Sequence, residues 1–292
     1  FCTMFQMNAS GSILSPEEHL KQVPRIQAMQ IEILKEIIRI CKKHSIPFQM
    51  YAGSLLGTIR HAGPIPWDDD IDIAMLRHNY LRFLDVCETE LDCKYFLQTR
   101  KTDPNSPHTF AKVRRNNSIF REHIVAHRKM HHGIYVDIFP FDAVPQGRLL
   151  GKLHEAMIVI GHKVRSLKYN RTVKNGISGA LRSLAERVGQ LVPSKVLDSY
   201  LNWVFGLWNR SNSPYVSQLG SGISSGGYWR CRVRKQDFYH RSLRSFSGLE
   251  VAVPDNYHVH LTQHFGNYMK PPAQNEQFPG HSIVELEFPT TD

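Results

Sequence analysis

The sequence predicts an α+β fold, with a mixed β-sheet core flanked by helices and a helical subdomain in the middle of the chain. Three observations predict it. Helical spacing and period-two alternation interleave through the first half, Gly151 to Arg210 shows helical spacing alone, and short strands and turns run from there to the end. The expected division is therefore a catalytic core over 1–146, a basic helical subdomain over 147–210, and a segment over 211–292 that completes the domain. A chain of 292 residues buries a core of ordinary size without staples. Its 41% hydrophobic and 21% charged residues exclude a disordered chain, and no run approaches the ~20 apolar residues of a spanning helix.

The elements follow in order. Ser15-Pro16-Glu17-Glu18 is a helix start, with Ser15 as cap, Pro16 at the first position and Glu18 completing a capping box. From Arg25 to His44, Ile26, Met29, Ile33, Ile37 and Ile40 recur at helical spacing and predict an amphipathic helix. After Pro47, Phe48 to Ala52 reads as a short strand running into a Gly53-Ser54 turn, with a helix from about Leu55. In Asp70 to Met75, an extended chain places Asp70, Asp72 and Ala74 on one face and Ile71, Ile73 and Met75 on the other. One face is chemical and the other is core. Arg77 to Glu90 returns to helical spacing. Short strands are expected at Tyr95–Thr99, at Phe110–Arg114 and, most clearly, at Ile134–Phe139, which Pro140 should close. Gly176, Gly179 and Pro193 interrupt the helical middle, and the Ser- and Gly-rich stretch from Ser211 to Gly227 reads as loop.

Five cysteines, Cys2, Cys41, Cys87, Cys93 and Cys231, are odd in number and form no C-x-x-C pair. Neither a disulfide framework nor a zinc knuckle is indicated, and a reducing, cytoplasmic setting is expected. The opening Phe1-Cys2-Thr3 carries no signal-peptide pattern, although a chain without an initiating Met leaves room for trimming. The net charge is +10, and it is unevenly placed. Gly151 to Arg187 holds eight Lys/Arg against two acids, and Tyr228 to Arg244 holds six against one. Such clusters suit phosphate-bearing partners or a solvated basic face. With Met157, Ile158, Val159 and Leu181, Leu184, Val188 on the same stretches, the first also suits peripheral attachment to an anionic membrane.

Asp68, Asp69, Asp70 and Asp72 lie within five positions, where like charges raise each other's pKa unless a cation joins them. Magnesium, with manganese as an alternative, takes one or two carboxylates plus phosphate oxygens and suits this pattern. The spacing leaves Asp68/Asp70 and Asp70/Asp72 both open as the ligand pair, with strand alternation favouring the second. A Gly-Ser turn at a helix start lets backbone N–H groups approach phosphate. Together with a later aspartate, Asp137 on its strand, this is the layout of a nucleotidyltransferase site, in which metal bridges phosphates to three carboxylates. Lys112 and Arg114 share a strand face that suits either phosphate or solvent.

Gly53-Ser54-Leu55-Leu56-Gly57, Arg60 and Ile65-Pro66-Trp67-Asp68-Asp69-Asp70-Ile71-Asp72-Ile73 resemble the signature of the LicD family. Its animal relatives include fukutin and fukutin-related protein, and it belongs to the nucleotidyltransferase-fold superfamily. The resemblance continues through Phe110–Arg114 and His131–Pro140 and, more loosely, Phe265–Pro272. It is closest to bacterial phosphorylcholine transferases and implies transfer of phosphocholine from CDP-choline to a surface glycan, such as lipopolysaccharide or teichoic acid, or its lipid-linked precursor. It implies Asp70, Asp72 and Asp137 as catalytic metal ligands, with Asp68 the uncertain member. Gly53, Ser54, Arg60, Lys112 and Arg114 are the expected donor contacts, and Asp137 is the candidate to take the acceptor proton. A D-x-D glycosyltransferase, and a non-enzymatic basic module binding membrane or nucleic acid, are the competing readings. The second leaves the acidic motif unexplained, and no nucleic-acid partner is expected.

Overall fold

The computed structural model describes residues 13–169, 177–221 and 227–290, the side chains of 177–182 excepted; Cys2 and Gly176 lie outside them. In chain order the elements begin with α1 (Pro16–Lys43), β1 (Gln49–Met50), α2 (Ala52–His61), β2 (Asp72–Leu76), α3 (Arg77–Glu90), β3 (Tyr95–Gln98), β4 (Ala111–Arg115) and β5 (Ile119–Glu122). They continue through β6 (Tyr135–Ala143), α4 (Arg148–Tyr169), α5 (Ile177–Leu191), α6 (Ser194–Gly206) and β7 (Tyr215–Gln218). The chain ends with α7 (Gly227–Arg230), β8 (Arg232–Arg234), β9 (Arg241–Phe246), β10 (Leu249–Pro254), α8 (Tyr257–Phe265) and β11 (Ile283–Glu287). The fold is α+β, as expected.

The main sheet has the order β1-β2-β6-β4-β3, with β7 taking over beside β6 where β4 stops, and β8 beside β7. β2 and β6 are parallel; the other pairs are antiparallel. β9 pairs with β10, and β11 returns from the C-terminal segment to pair with β5. The alternation read in the sequence sorts the sheet's faces. Ile71, Ile73, Met75, Val113, Val136 and Ile138 join one core with the apolar face of α1. Ala74, Leu76, Phe139 and Phe141 form a second with Tyr51. Each fully buried Ile of α1, Ile33, Ile37 and Ile40 among them, stabilises by roughly 1.5–3 kcal/mol. A third core lies between α4 and α6, around Ile158, Leu197, Leu201, Val204 and Phe205.

Ser15 caps α1, accepting from Glu18 N–H at 3.2 Å while Glu18 Oε2 accepts from Ser15 N–H at 3.0 Å. The helix then runs unbroken through Pro24. Four expectations are corrected. Gly53 and Ser54 are not a turn before a helix at Leu55 but lie in the first turn of α2. Gly179 does not interrupt α5. Tyr215–Gln218, inside the stretch read as loop, is a strand, because Val216 and Ser217 find partners on β6 and β8. β6 also runs through Pro140. Asp137 N–H donates to Ile71 O on the β2 side, so the nitrogen of Pro140 faces the opposite neighbour. That neighbour is changing there from β4, which ends opposite Ile138, to β7, which begins opposite Phe141. A missing N–H costs no ladder bond at such a gap.

Candidate active site

The register of four strands builds the centre of the site. Asp72 is opposite Asp137, Asp137 opposite Lys112, and Lys112 opposite Gln98, so the four side chains form one row on the face away from α1. Lys112 Nζ lies 2.7 Å from Asp137 Oδ1 and 2.9 Å from Oδ2, and both residues are buried. The Tyr135 ring sits 3.4 Å from the same ammonium and offers its negative face. One step along β4, Arg114 is also buried; its Nε donates to Gln98 Oε1 at 2.6 Å and its Nη1 to Gly133 O at 2.6 Å. Its guanidinium therefore holds strand ends together beside the site. Lys112 is brought to the carboxylates as a counter-ion, and neither side chain is on a solvated face.

The three aspartates before β2 are held by side chains from far away in sequence. Gln27 Nε2 donates to Ile65 O and Asp68 O, and Gln30 Nε2 to Asp69 O, each at 2.8 Å. Ser54 Oγ accepts from Asp72 N–H at 2.8 Å, which joins the first turn of α2 to the first residue of β2. Carboxylate oxygens of Asp68, Asp69 and Asp70 lie within 4.8 Å of one another. Asp69 is set apart by its contacts. It accepts from His281 Nδ1 at 2.9 Å and from the N–H groups of Gly280 and His281, and His19 Nε2 lies 3.3 Å away. Burial would raise the Asp69 carboxyl, but the His281 hydrogen bond and charge, with His19, hold it below the usual range. Burial works against the charge on His281, yet Asp69, Asp70 and Glu122 lift it to about 10. Asp69 thus docks the C-terminal segment rather than facing a ligand.

The other four carboxyls are pushed the opposite way. Burial, then the charges of Asp70 and Asp69, lifts Asp68 to about 8. Burial lifts Asp70 to about 6, where the His281 charge pulls down and Asp69 and Asp137 push up. Asp72 rises well above the carboxylate range through burial and the charges of Asp70, Asp137 and Asp68. Asp137 is raised by burial against the pull of Lys112. Asp72 Oδ1, moreover, is buried with no hydrogen-bond partner. An unpartnered oxygen among mutually repelling carboxyls is the environment a hard divalent cation relieves, and the all-oxygen donor set suits magnesium or manganese. The carboxyls present therefore fit such an ion in their chemistry, and among the described residues the three whose oxygens converge within 4.8 Å are Asp68, Asp69 and Asp70.

Beside Asp68 opens a cleft of ≈ 390 Å³, lined by Gly53, Arg60, Trp67, Phe265, Tyr268 and Lys270 among others. Gly53 has a steric reason: a Cβ there would stand 2.6 Å from Asp68 Oδ2. Gly57, the second glycine of the motif, is as constrained, with Gly63 O 2.5 Å from the Cβ position. Arg60 Nη1 donates to Tyr268 O at 2.8 Å and its guanidinium lies 5.9 Å from the Trp67 ring centroid, so it forms one wall. The fold thus collects Gly53, Ser54, Arg60, Asp68, Asp70, Asp72, Lys112 and Asp137 around the cleft and the row behind it.

Sequence reasoning missed Gln27, Gln30, His19 and the separate role of Asp69. Gln30 left a signal: it sits four residues after Ile26 on a face that is otherwise apolar, and it is 1% exposed.

Residues 45–154, which contain every carboxylate of the row and loop, match the family described as LicD/FKTN/FKRP, nucleotidyltransferase domain. The chain is 28% identical over 266 residues to the lipopolysaccharide cholinephosphotransferase LicD of Haemophilus influenzae, covering 87% of this chain and 94% of that protein. A shorter match, 33% identical over 55 residues, covers 19% of this chain and 18% of an uncharacterized protein of Rickettsia typhi. Residues 45–154 thus carry a LicD-type nucleotidyltransferase domain, and the similarity to the Haemophilus protein extends over most of both chains.

Proposed function

We propose that this chain is a metal-dependent phosphotransferase that moves phosphocholine from CDP-choline onto a hydroxyl of a cell-surface glycan or its lipid-linked precursor, releasing CMP. The observation that carries the reading is the buried Asp72–Asp137–Lys112 row with Asp68 and Asp70 beside it, where Asp68 lines a cleft with cationic and aromatic walls. The cholinephosphotransferase relative supports the choice of alcohol and acceptor class. Asp70, Asp72 and Asp137 would hold magnesium or manganese, with Asp68 at the cleft edge. When bound, the ion supplies charge neutralisation for the donor phosphates.

The chain's own residues do the rest. Arg60 and Lys270 give the cleft a positive wall for a diphosphate, and Gly53 admits the Asp68 carboxylate against the start of α2 at the edge of that cleft. Ser54, by holding Asp72 N–H, sets the height of β2 against α2. The acceptor oxygen forms a bond to the phosphorus that carries choline, the bond from that phosphorus to the CMP oxygen breaks, and the acceptor proton leaves to a carboxylate. Asp137 is committed to Lys112, so Asp68, which opens on the cleft, is the better placed to take that proton. Transfer to a lipid-linked precursor would occur on the inner membrane face. Among the described residues no helix is long and apolar enough to cross a membrane.

The test is product analysis with CDP-choline, magnesium and a lipopolysaccharide acceptor lacking phosphocholine. CMP together with a phosphodiester-linked choline is the expected result. Release of a nucleoside diphosphate with a new glycoside, from a sugar nucleotide, would install the glycosyltransferase reading instead.

A further inference from the structure

We propose that the outer face of the α4–α6 layer is a docking surface for an anionic lipid bilayer. On α4, Leu149, Leu153 and Ile160 are 83%, 60% and 57% exposed. They lie at i, i+4 and i+11, on one side of the helix. Ile158, which the sequence reading grouped with an outward apolar set, turns inward and is fully buried, and Met157 packs beside it. Leu184, Val188 and Leu191 are exposed on α5 at the same kind of spacing; the side chain of Leu181 lies outside the described residues. α6, which lies beyond Arg187, adds Val196 and Trp203, and Leu207 follows directly after its last residue.

The stripes are neighbours. Tyr200 of α6 donates to Met157 O of α4 at 2.9 Å, and the Tyr200 and Trp203 rings are 6.2 Å apart. The inward faces are already committed: His154, for instance, contacts Tyr228 OH at 3.0 Å and Val204 O at 2.9 Å. The apolar side chains that remain outside join none of the apolar cores among the described residues.

Charge selects the occupant. The exposed charged side chains described from 148 to 210 are Arg148, Lys152, Lys163, Arg187, Lys195 and Arg210, all cationic. Of the three described acids in this stretch, none is among the exposed side chains; Glu155 accepts from Trp229 Nε1 and Asp198 from Arg100, and Glu186 is half-buried. A second copy would bring like charges together across a two-fold interface. A nucleic acid would leave Leu149, Leu153 and Trp203 in water. Apolar side chains interspersed with Lys and Arg, one of them an exposed Trp, are what an acidic headgroup layer receives.

Co-sedimentation of the full chain, with no donor or acceptor present, tests this. The probes are vesicles of phosphatidylcholine alone and of phosphatidylcholine with phosphatidylglycerol in equal parts. The chain is expected to pellet with the anionic vesicles and to be released by high salt. Each basic side chain near such a surface is worth about fivefold in partitioning, so Lys152→Ala with Lys163→Ala should weaken binding about thirtyfold. Tryptophan fluorescence should shift to the blue on binding, and Trp203→Phe should remove most of that shift while leaving the protein folded. Equal pelleting with both vesicles, or none with either, overturns the proposal. So does a concentration-dependent dimer that Leu149→Ser with Leu153→Ser dissociates, since the face would then be an interface between copies.

Discussion

Lys112→Met is the sharpest test of how the carboxylate row is held. Lys112 is 2% exposed and Asp137 6%, and the ammonium lies within 2.9 Å of both carboxylate oxygens. Removing one partner of a buried pair costs about 3–5 kcal/mol, because the other is left as an uncompensated charge. Here that charge would also face Asp70 and Asp72, whose carboxyls already interact unfavourably with Asp137. At roughly 2–4 °C per kcal/mol for a large domain, the melting temperature should fall by roughly 10 °C. The sign of the pH dependence follows. Without Lys112 the folded Asp137 has a pKa further above its unfolded value, so the variant recovers stability on acidification and loses it as pH rises. Urea unfolding at several pH values, in a chelator, measures both. Lys112→Met with Asp137→Leu should regain most of the lost stability, since an apolar pair of similar volume replaces the ions, while transfer stays abolished. A loss below about 1 kcal/mol for the single variant would refute the reading, as would a double variant no more stable than the single.

Asp72→Asn should abolish transfer while stability stays level or rises slightly, because burial and three neighbouring aspartates already disfavour its charge; turnover and the urea midpoint check the two halves. Asp70→Asn should behave alike, and near-normal turnover in either variant at controlled magnesium would remove the metal assignment. Gly53→Val should displace Asp68, whose Oδ2 lies 2.6 Å from the new Cβ, and weaken donor binding in calorimetry with the fold retained. Burial, then the Arg165 charge, pushes His162 down to about 4. The unfolded chain therefore binds the extra proton first, and stability should fall by up to roughly 3 kcal/mol between pH 6.5 and 4. Across that range, unfolding midpoints should show the stability of His162→Asn falling less steeply than that of the parent chain, by about this amount. The depressed His108 and His131 keep the rest of the slope.

Local pattern carried much of the architecture. The capping box at Ser15 and the alternation of Asp72, Ile73, Ala74 and Met75 are written in neighbouring residues, and the structure repeats them. What was not legible depends on partners distant in the chain. Pro140 reads as a strand end because a proline cannot donate to a ladder; only the handover from β4 to β7 makes it harmless. Tyr215–Gln218 is a strand because β6 extends past β4 and offers an open edge. The start of α2 was misplaced because Gly53 looked like turn chemistry, whereas it is glycine to admit a carboxylate.

The acidic run shows the same limit at the site. In sequence, alternation leaves Asp69 out of the ligand pairs but gives it no role; in the fold it is claimed by a histidine more than two hundred residues away. His281 reaches Asp69 only because β11 returns to pair with β5, and Tyr135 OH, 3.3 Å from its Nε2, ties the same ring to the strand of Asp137. The imidazolium offsets the charge of Asp69, so that the remaining carboxyls repel one another with one negative neighbour already balanced. It also makes the C-terminal segment part of the site's construction. Trp67 and Asp68 on the acidic loop meet Phe265, Tyr268 and Lys270 across the cleft, and Gly280 and His281 hold the next residue of that loop. The acidic loop and the C-terminal segment therefore form the cleft together, which is why a match confined to residues 45–154 contains the aspartates but not the far wall of the cleft.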